Sequence, residues 1–265
     1  MHGARMPAGG RSRTIAAMAG LAVVGGHSIL PADQPDEAEG GAQPGFPTGA
    51  QRRQVRGLGG DVTVLDAGDY LVVQRHGLDT YTPAHRVDHV RNLSAIVAAG
   101  CDRVLAVSSV GSLRAELAVG AVLAPDDFIA LDQPATSVHH DARSHVVPAF
   151  SPEWRSQVLG AWREQSDGAI GDGGVYWQSN GPRFETPAEV RYLAAFADVV
   201  GMTVGSECVI ANELGLRYAA VCIVDNLANG LGSSRLTPEA FAAGKAANAG
   251  PLHRTLHCVA EMLAS

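Results

Sequence analysis

The sequence predicts an α/β fold in which helices flank a mixed β-sheet within a single domain. Short β-branched runs alternate along the chain with segments of helical periodicity, which is the pattern of a sheet covered by helices. Glycine is abundant, at 31 residues, and aromatic residues make up only 5% of the chain, which suits tight packing of helices on strands. With 265 residues, 46% of them apolar, the chain can build one large core or two small ones, and we expect one.

The periodicity places strands and helices in alternation from residue 21 onward. Strands are expected at residues 21–24, 62–65, 70–74, 103–107, 121–129, 174–178 and 219–224. Helices are expected at residues 87–98, 153–164, 187–196, 206–214 and near 251–263. The third helix has the clearest start, since Thr186 can cap it, Pro187 suits its first position and Glu189 completes a capping box.

The N-terminal segment admits two interpretations. Arginines precede the apolar run at 15–24, which imitates a secretory signal peptide, but this run is short for a membrane span and lacks a good cleavage site before Pro31. The interpretation we favour is a buried first strand at 21–24 that enters the turn at Gly25 and Gly26, with a disordered leader at 1–13 and one domain over 14–265. Residues 32–55 are rich in Asp, Glu, Gly, Pro and Gln, which predicts a flexible loop within that domain.

Charge and cysteine content exclude several function classes. The net charge is −7 and the pI is near 5.8, so the chain lacks the basic face that nucleic-acid binding needs, and we expect no membrane partner either. The four cysteines form no CxxC pair and three lie in apolar stretches, which predicts reduced residues in a cytoplasmic protein. The His, Cys, Asp and Glu residues show no metal-ligand spacing, so no metal site is predicted.

Polar pairs follow several predicted strands at the point where each strand ends. These pairs are Arg75–His76, Ser108–Ser109 and Asp225–Asn226. Open α/β sheets bind ligands at the carboxyl ends of their strands, so we expect these residues to form one shared site.

Three of these segments are candidates for binding an anion. The turn Gly25–Gly26–His27–Ser28 can bring backbone N–H groups close to an anion, although an ordinary tight turn explains it equally well. Arg75 and His76 offer donors that match phosphate oxygens, or they simply form an exposed strand end. The serine hydroxyls at 108 and 109 are either further phosphate ligands or part of a plain turn.

The segment 181–189, with the sequence GPRFETPAE, is the most specific stretch of the chain. Its glycine turn places an aromatic ring and a carboxylate just before a helix. Phe184 could stack on a flat base and Glu185 could accept hydrogen bonds from ring N–H groups. The alternative is a helix entrance with a buried phenylalanine.

This segment resembles the signature of the trimeric purine nucleoside phosphorylase family, which includes methylthioadenosine phosphorylases. Further stretches resemble family motifs in the same order and spacing. They are residues 81–92, residues 106–113 (AVSSVGSL), residues 198–203 (DVVGMT) and residues 207–218 (ECVIANELGLRY). The resemblance extends from about residue 20 to residue 230.

The resemblance implies a fold, a reaction and an assembly. The fold would be one α/β domain whose mixed sheet is partly closed into a barrel. The reaction would be phosphorolysis, in which inorganic phosphate attacks C1′ of a purine nucleoside and releases the base, with phosphate as co-substrate and no metal or organic cofactor. The assembly would be a homotrimer or hexamer in which a neighbour contributes to each site.

Matched positions also imply residue roles. The phosphate ligands would be His27, Ser28, Arg75, His76, Ser108, Ser109 and Thr203. The base and ribose would contact Phe184, Glu185, Met202, Asn226 and the adjacent Asp225, and the catalytic residues would be Arg75, Glu185 and Asn226. Glu185 with Asn226 favours 6-oxopurines over 6-aminopurines, since the carboxylate can accept from N1–H and the amide can serve N7 and a 6-oxo group.

Departures from the family pattern leave alternatives open. His27 and Ser28 replace a Thr/Ser–Gly pair, Thr80 stands where relatives often have His, and Gly205–Ser206 replaces Val–Pro. These changes fall near the predicted phosphate site, so a nucleoside hydrolase that uses water, or a non-catalytic nucleoside-binding protein, are alternatives. The segment 236–241 lacks the His that often accompanies a free 5′-hydroxyl, which fits a 5′-methylthio substrate.

Overall fold

The computed structural model describes residues 20–26, 29, 46–47, 49–134, 136–166, 169–232 and 236–265. The predicted leader at 1–13, the candidate phosphate ligands His27 and Ser28, and most of the predicted loop at 32–55 lie outside these described residues. No helix within the described ranges is both long and apolar enough to cross a membrane.

The described residues form eleven strands and five α-helices. The strands are β1 (Gly20–Gly25), β2 (Gln51–Gly57), β3 (Gly60–Asp66), β4 (Tyr70–Gln74), β5 (Cys101–Ser112), β6 (Val122–Ala124), β7 (Asp127–Ile129), β8 (Ile170–Asp172), β9 (Val175–Gln178), β10 (Val199–Gly201) and β11 (Arg217–Leu227). The helices are α1 (His89–Ala98), α2 (Pro152–Gln165), α3 (Pro187–Leu193), α4 (Val204–Glu213) and α5 (Pro238–Ala264).

All eleven strands belong to one mixed sheet, and this confirms the predicted fold class. The long strand β5 lies at its centre, parallel to β1 and β11 and antiparallel to β10. Strand β4 lies parallel to β1 on the other side. Because β1, β4, β5 and β11 run in the same direction, their carboxyl ends meet at one edge of the sheet. Arg75–His76 follow the end of β4 as predicted, whereas β5 and β11 extend further than predicted, so Ser108–Ser109 and Asp225–Asn226 lie within these strands, near the same edge.

The strand β11 contains a β-bulge close to that edge. Val224 pairs with Val110 and Asn226 pairs with Gly111, so Asp225 is one extra residue with no partner of its own on β5. A bulge re-aims the side chains that follow it, and bulges occur often beside active sites. The side chains of Asp225 and Asn226 consequently have different surroundings.

The central sheet is buried between two layers of helices. Along β5 the side chains alternate, with Val104 in the core that contains Leu93 of α1 and Ile210 of α4. Leu105 belongs to the opposite core, which contains Trp154 of α2 and residues of α5. Burial on both faces explains why the central strands read as continuous apolar runs.

Several elements differ from the sequence-based predictions. Residues 51–55 were predicted to belong to a flexible loop, but residues 51–57 form the exposed strand β2. This strand pairs with β3 in a hairpin, and Arg53 also forms a salt bridge with Asp66. The predicted strand at 121–129 is divided into β6 and β7 at Pro125 and Asp126. The helix expected near 251–263 begins at residue 238 and continues through Pro251. Polar, edge-exposed strands carry no apolar alternation, so periodicity misses them.

Candidate active site

A cavity of about 220 Å³ opens at the shared edge of the parallel strands. Nine predicted site residues line it: Arg75, His76, Ser108, Ser109, Phe184, Glu185, Met202, Thr203 and Asn226. They come from the ends of β4, β10 and β11, from the interior of β5, and from the loop before α3. The chain segments that the sequence analysis assigned to one site are therefore adjacent in space, while the ligand that each side chain binds remains a prediction.

Arg75 forms part of the cavity wall, and its guanidinium is held rigidly. Its Nε and Nη2 donate to the two carboxylate oxygens of Glu207 at 2.7 and 2.9 Å. Nη1 donates to the carbonyl of Val107 at 2.8 Å, and Nη2 also lies 3.5 Å from the carbonyl of Val24. Four of the five guanidinium donors are thus used within the described part of the chain, which leaves one Nη1–H for a ligand.

Glu207 is a residue of this site that the sequence analysis did not assign. It is 1% exposed, and it also accepts a hydrogen bond of 2.9 Å from the hydroxyl of Tyr218. Burial alone would raise its pKa, but the charge and hydrogen bonds of Arg75 outweigh burial and hold the pKa of Glu207 below its usual value. Burial lowers the pKa of the neighbouring His89, whose Nδ1 lies 3.8 Å from the carboxylate. Glu207 is therefore a carboxylate that fixes Arg75.

His76 is oriented toward the same end of the cavity. Its Nδ1 lies 2.8 Å from the carbonyl of Thr82, so Nδ1 carries a proton and donates it. This contact turns Nε2 toward Gly26, where a Cβ atom would lie only 3.4 Å from Nε2 and 3.5 Å from Nη1 of Arg75. A glycine backbone, an imidazole and a guanidinium therefore converge, and this combination suits an anion.

Tyr176 holds two further candidate phosphate ligands and was also not assigned from the sequence. Its buried hydroxyl accepts a hydrogen bond of 3.2 Å from the backbone N–H of Thr203 and forms a hydrogen bond with the side chain of Ser108. Burial raises the pKa of Tyr176 above its usual value, so the hydroxyl stays protonated. Gly201 is required beside it, because a Cβ there would lie 2.3 Å from the tyrosine oxygen.

The cavity lining also includes the aromatic ring and the polar groups expected to bind a base. The ring of Phe184 is 39% exposed and lies 5.3 Å from the ring of Phe241 in an edge-to-face arrangement. The backbone carbonyl of Glu185 is fixed by a 3.1 Å hydrogen bond from Asn229. Asn226 is buried and donates from Nδ2 to the carbonyl of Leu227 at 2.9 Å, which leaves its side-chain oxygen as an acceptor.

Met202 also lines the cavity. A Cβ atom on Gly181 would lie 2.6 Å from the sulfur of Met202, so the thioether packs directly against the loop that carries Phe184. Gly181 also has φ at +67°, a conformation that favours glycine. Two features therefore require glycine at position 181, the close contact with Met202 and the positive φ angle.

Asp225, which was expected to contact the base or ribose, is placed differently from the other described site residues. Asp225 is 1% exposed and does not line the cavity; its Oδ1 accepts a 2.7 Å hydrogen bond from Asn248 of α5. Burial raises its pKa, and hydrogen bonds from Ser109 and Asn248 oppose that effect. The bulge in β11 separates the two side chains, because it leaves Asn226 on the cavity wall and Asp225 behind it.

The departures from the family motif that the structure describes lie outside the cavity lining. Thr80 lines a polar depression next to β3 that shares Arg75 with the cavity. Ser206 donates its backbone N–H to Oε1 of Gln178 at 2.8 Å, and Gly205 leaves room for that same glutamine side chain. The pair at 205–206 therefore joins the start of α4 to the end of β9, so neither departure removes a described donor from the cavity.

Several further lining residues had received no individual role from the sequence, among them Tyr81, Ala84, Ala228, Phe241 and Lys245. Phe241 and Lys245 belong to the first turns of α5. The start of this helix was predicted near residue 251, thirteen residues after its observed start at 238. Within the described residues, no group of three or more His, Cys, Asp or Glu side chains is arranged to hold a metal ion.

Comparison with known proteins identifies the family. A model described as the Phosphorylase superfamily matches residues 26–257, which is most of the chain. The chain belongs to the phosphorylase superfamily. This membership confirms the resemblance found in the sequence motifs.

Two relatives within the superfamily carry functional names. A probable 6-oxopurine nucleoside phosphorylase of Archaeoglobus fulgidus is 41% identical over 171 residues, covering 64% of this chain and 70% of the relative. A probable S-methyl-5′-thioinosine phosphorylase of Methanosarcina acetivorans is 36% identical over 181 residues, covering 67% and 69%.

Solved structures show the same superfamily fold. The methylthioadenosine phosphorylase of Schistosoma mansoni in complex with adenine superposes with a TM-score of 0.75, covering 92% of this chain and 91% of that chain. The sequence identity is 20%, so this likeness concerns the fold.

Proposed function

We propose that this protein is a purine nucleoside phosphorylase that acts on 6-oxopurine nucleosides. Inorganic phosphate attacks C1′, the bond from C1′ to N9 breaks, and the products are the free base and ribose 1-phosphate or its 5′-modified analogue. The observation that carries the proposal is the mixed lining of one cavity. Anion donors from Arg75, His76, Ser108 and Thr203 line it together with the Phe184 ring, the Glu185 carboxylate and the Asn226 amide.

The anion donors and the base-binding groups match the two electrostatic demands of this reaction. The transition state resembles an oxocarbenium ion, so a phosphate dianion held beside C1′ stabilises the positive charge on the sugar. The Nη1–H of Arg75, the ring of His76, the hydroxyls of Ser108 and Thr203, and the backbone near Gly26 supply the donors for that dianion. Arg75 and Thr203 are already fixed by Glu207 and Tyr176, so little reorganisation is needed during the reaction.

The residues that bind the base must stabilise the negative charge that develops on the purine as the glycosidic bond breaks. Asn226 offers an amide to N7 and to a 6-oxo group, and Glu185 accepts a hydrogen bond from N1–H. A 6-aminopurine has no proton on N1, so its lone pair would face the Glu185 carboxylate and bind less well. The names of the two relatives, a probable 6-oxopurine nucleoside phosphorylase and a probable S-methyl-5′-thioinosine phosphorylase, support the same base preference.

The proposed assembly is a homotrimer, as the resemblance implies, and the proposed location is the cytoplasm. Tyr192 in α3 and Phe196 in the turn that follows this helix are 58% and 53% exposed, and their rings lie 5.3 Å apart. An exposed aromatic pair of this kind is typical of a protein interface. The cysteines are all free, and three of them are buried, which fits a reducing compartment.

One assay tests the reaction. The purified protein is incubated with inosine, guanosine, methylthioadenosine and 5′-methylthioinosine, each with and without phosphate, and base release is followed by chromatography. We expect release of hypoxanthine or guanine that requires phosphate and yields the sugar 1-phosphate. Equal release without phosphate would indicate a hydrolase. Thermal stabilisation by nucleosides without any turnover would indicate a non-catalytic binding protein.

A further inference from the structure

The adjacent serines of β5, at positions 108 and 109, lie on opposite faces of the sheet. Side chains alternate along a strand. Val110 belongs to the core that contains residues of α1 and α4, while Val107 belongs to the core that contains residues of α2 and α5. By the same alternation, Ser108 shares the face of Val110, and Ser109 shares the face of Val107. The two hydroxyls, both predicted to bind phosphate, therefore have different surroundings.

The hydrogen bonds of the two hydroxyls differ accordingly. Ser108 bonds the buried hydroxyl of Tyr176, which also accepts from the backbone N–H of Thr203. Ser109 donates to the buried carboxylate of Asp225, which does not line the cavity. A serine hydroxyl has a single proton, so the bond to Asp225 occupies the proton that a phosphate oxygen would have to accept from Ser109.

Asp225 joins three elements of the fold. Besides the bond from β5, its Oδ1 accepts a 2.7 Å hydrogen bond from Nδ2 of Asn248 in α5. The same Nδ2 donates to the carbonyl of Val224 at 3.1 Å. Gly244 packs so closely that a Cβ atom would lie 1.9 Å from the carbonyl oxygen of Asp225. Because hydrogen bonds to a charged acceptor are stronger than those between neutral groups, this carboxylate fixes β5 and α5 to the bulge of β11.

The next residue of the bulge, Asn226, contacts the same face of β5. Gly111 lies two residues beyond Ser109, so both residues face the same side of the strand. Asn226 pairs with Gly111, and its Nδ2 lies 3.3 Å from the position that a Cβ atom would take there. The bulge is therefore held at two points, by the bond from Ser109 to Asp225 and by the packing of Asn226 on Gly111.

We propose that Ser109 and Asp225 are positioning residues that hold the bulge of β11 and thereby aim the Asn226 amide at the purine. This inference rests on the proposed function and deepens it. It removes the Ser109 hydroxyl from the phosphate donors, while Ser108 remains one of them. Recognition of the base thus depends on a buried hydrogen bond that contacts neither substrate.

The first test compares the two serines. Ser109→Ala removes one hydroxyl and leaves the backbone of β5 in place. We expect kcat/KM for inosine at saturating phosphate to fall about three- to tenfold, as for the loss of one hydrogen bond, while KM for phosphate stays within about twofold. Ser108→Ala should show the opposite pattern, with a raised KM for phosphate and a smaller effect on inosine. An unchanged kcat/KM for inosine in Ser109→Ala, or a raised KM for phosphate, overturns the inference.

A double-mutant cycle tests whether Ser109 acts through Asp225. Asp225→Asn keeps the size of the side chain and removes its charge. We expect the double variant to lose no more activity toward inosine than the weaker of the two single variants, because both changes break the same bond. Effects that multiply would show two independent residues and overturn the inference. Asp172→Asn, which changes a half-exposed carboxylate in β8, is the control and leaves the inosine parameters unchanged. If Asp225→Asn does not fold, the serine comparison still decides.

A third readout needs no turnover. Calorimetric titration with hypoxanthine and, separately, with inorganic phosphate measures the two affinities. The Kd for hypoxanthine should rise about three- to tenfold in Ser109→Ala, and the Kd for phosphate should not. Equal hypoxanthine affinity in wild type and Ser109→Ala overturns the inference, as does a wild type that binds no hypoxanthine. A wild type that binds hypoxanthine without catalysing phosphorolysis overturns the proposed function instead.

Discussion

At the level of single residues, base selection depends on one amide. Asn226→Asp replaces this amide with a carboxylate that can pair with a 6-amino group, and it removes the donor that now bonds the carbonyl of Leu227. We expect the ratio of kcat/KM for inosine to that for adenosine to fall by about tenfold or more, as for exchanging one matched hydrogen bond. The apparent KM for phosphate is the internal control and stays within a factor of about two. An unchanged base preference would remove Asn226 from the base site.

The buried ion pair between Arg75 and Glu207 leads to a second prediction. Glu207→Gln keeps the shape but leaves the guanidinium without its counter-charge, so we expect about 3–5 kcal/mol loss of unfolding free energy and a raised KM for phosphate. Urea unfolding and phosphate titration of the rate measure the two effects. Glu213→Gln in the same helix is the comparison, since Glu213 bonds Ser137 far from Arg75. A normal phosphate KM in Glu207→Gln would exclude a positioning role.

The pH dependence of this ion pair has a definite sign. The folded state lowers the pKa of Glu207, so the pair contributes its full stabilisation above the carboxylate's ordinary pKa of 4.5. That contribution is lost as pH falls through the lowered pKa. The difference in unfolding free energy between wild type and Glu207→Gln should therefore become smaller in urea unfolding experiments at acidic pH.

At the level of elements, the contact between α5 and β11 depends on a glycine. Gly244→Ala would put a methyl group against the Asp225 carbonyl, so we expect a loss of about 1–3 kcal/mol and a displaced Lys245. Gly160→Ala in α2 is the matched control, because nothing lies within 4 Å of its added Cβ. That change should instead stabilise the protein, by up to about 1 kcal/mol. Thermal unfolding compares the stabilities of the two variants. A Gly244→Ala variant that is more stable than wild type would contradict close packing of α5 against the Asp225 carbonyl.

At the level of the whole molecule, the exposed aromatic pair predicts self-association. Tyr192→Glu should convert the proposed trimer into smaller species in light scattering after size exclusion, because a charge enters the apolar centre of the interface. Leu58→Glu changes an apolar residue of similar exposure, at 53%, outside this pair and should leave the mass unchanged. A monomeric wild-type protein would contradict the proposed assembly.

The features that could be predicted from the sequence are those that depend on residues close together in the chain or on the common direction of parallel strands. The capping box at Thr186 and Glu189 forms as expected, and the polar strand ends meet because parallel strands end at a common edge. Contacts between distant segments were not predictable. Glu207 looked like one charge in a helix, and its role depends on Arg75, which lies 132 positions earlier. Likewise, β2 is stabilised by pairing with β3, and its own residues show no apolar alternation.

The extra residue at 225 has a consequence for how selectivity could change. An amide and a carboxylate are neighbours in the chain, and only the irregular pairing of β11 decides which one faces the ligand. Loss of Asn226 would leave Asp225 as the residue that pairs with Gly111 and so put a carboxylate in the place of the amide. A single codon lost or gained here would therefore offer an adenine-type edge in place of a hypoxanthine-type edge, so related enzymes could switch nucleobase by slippage of one strand.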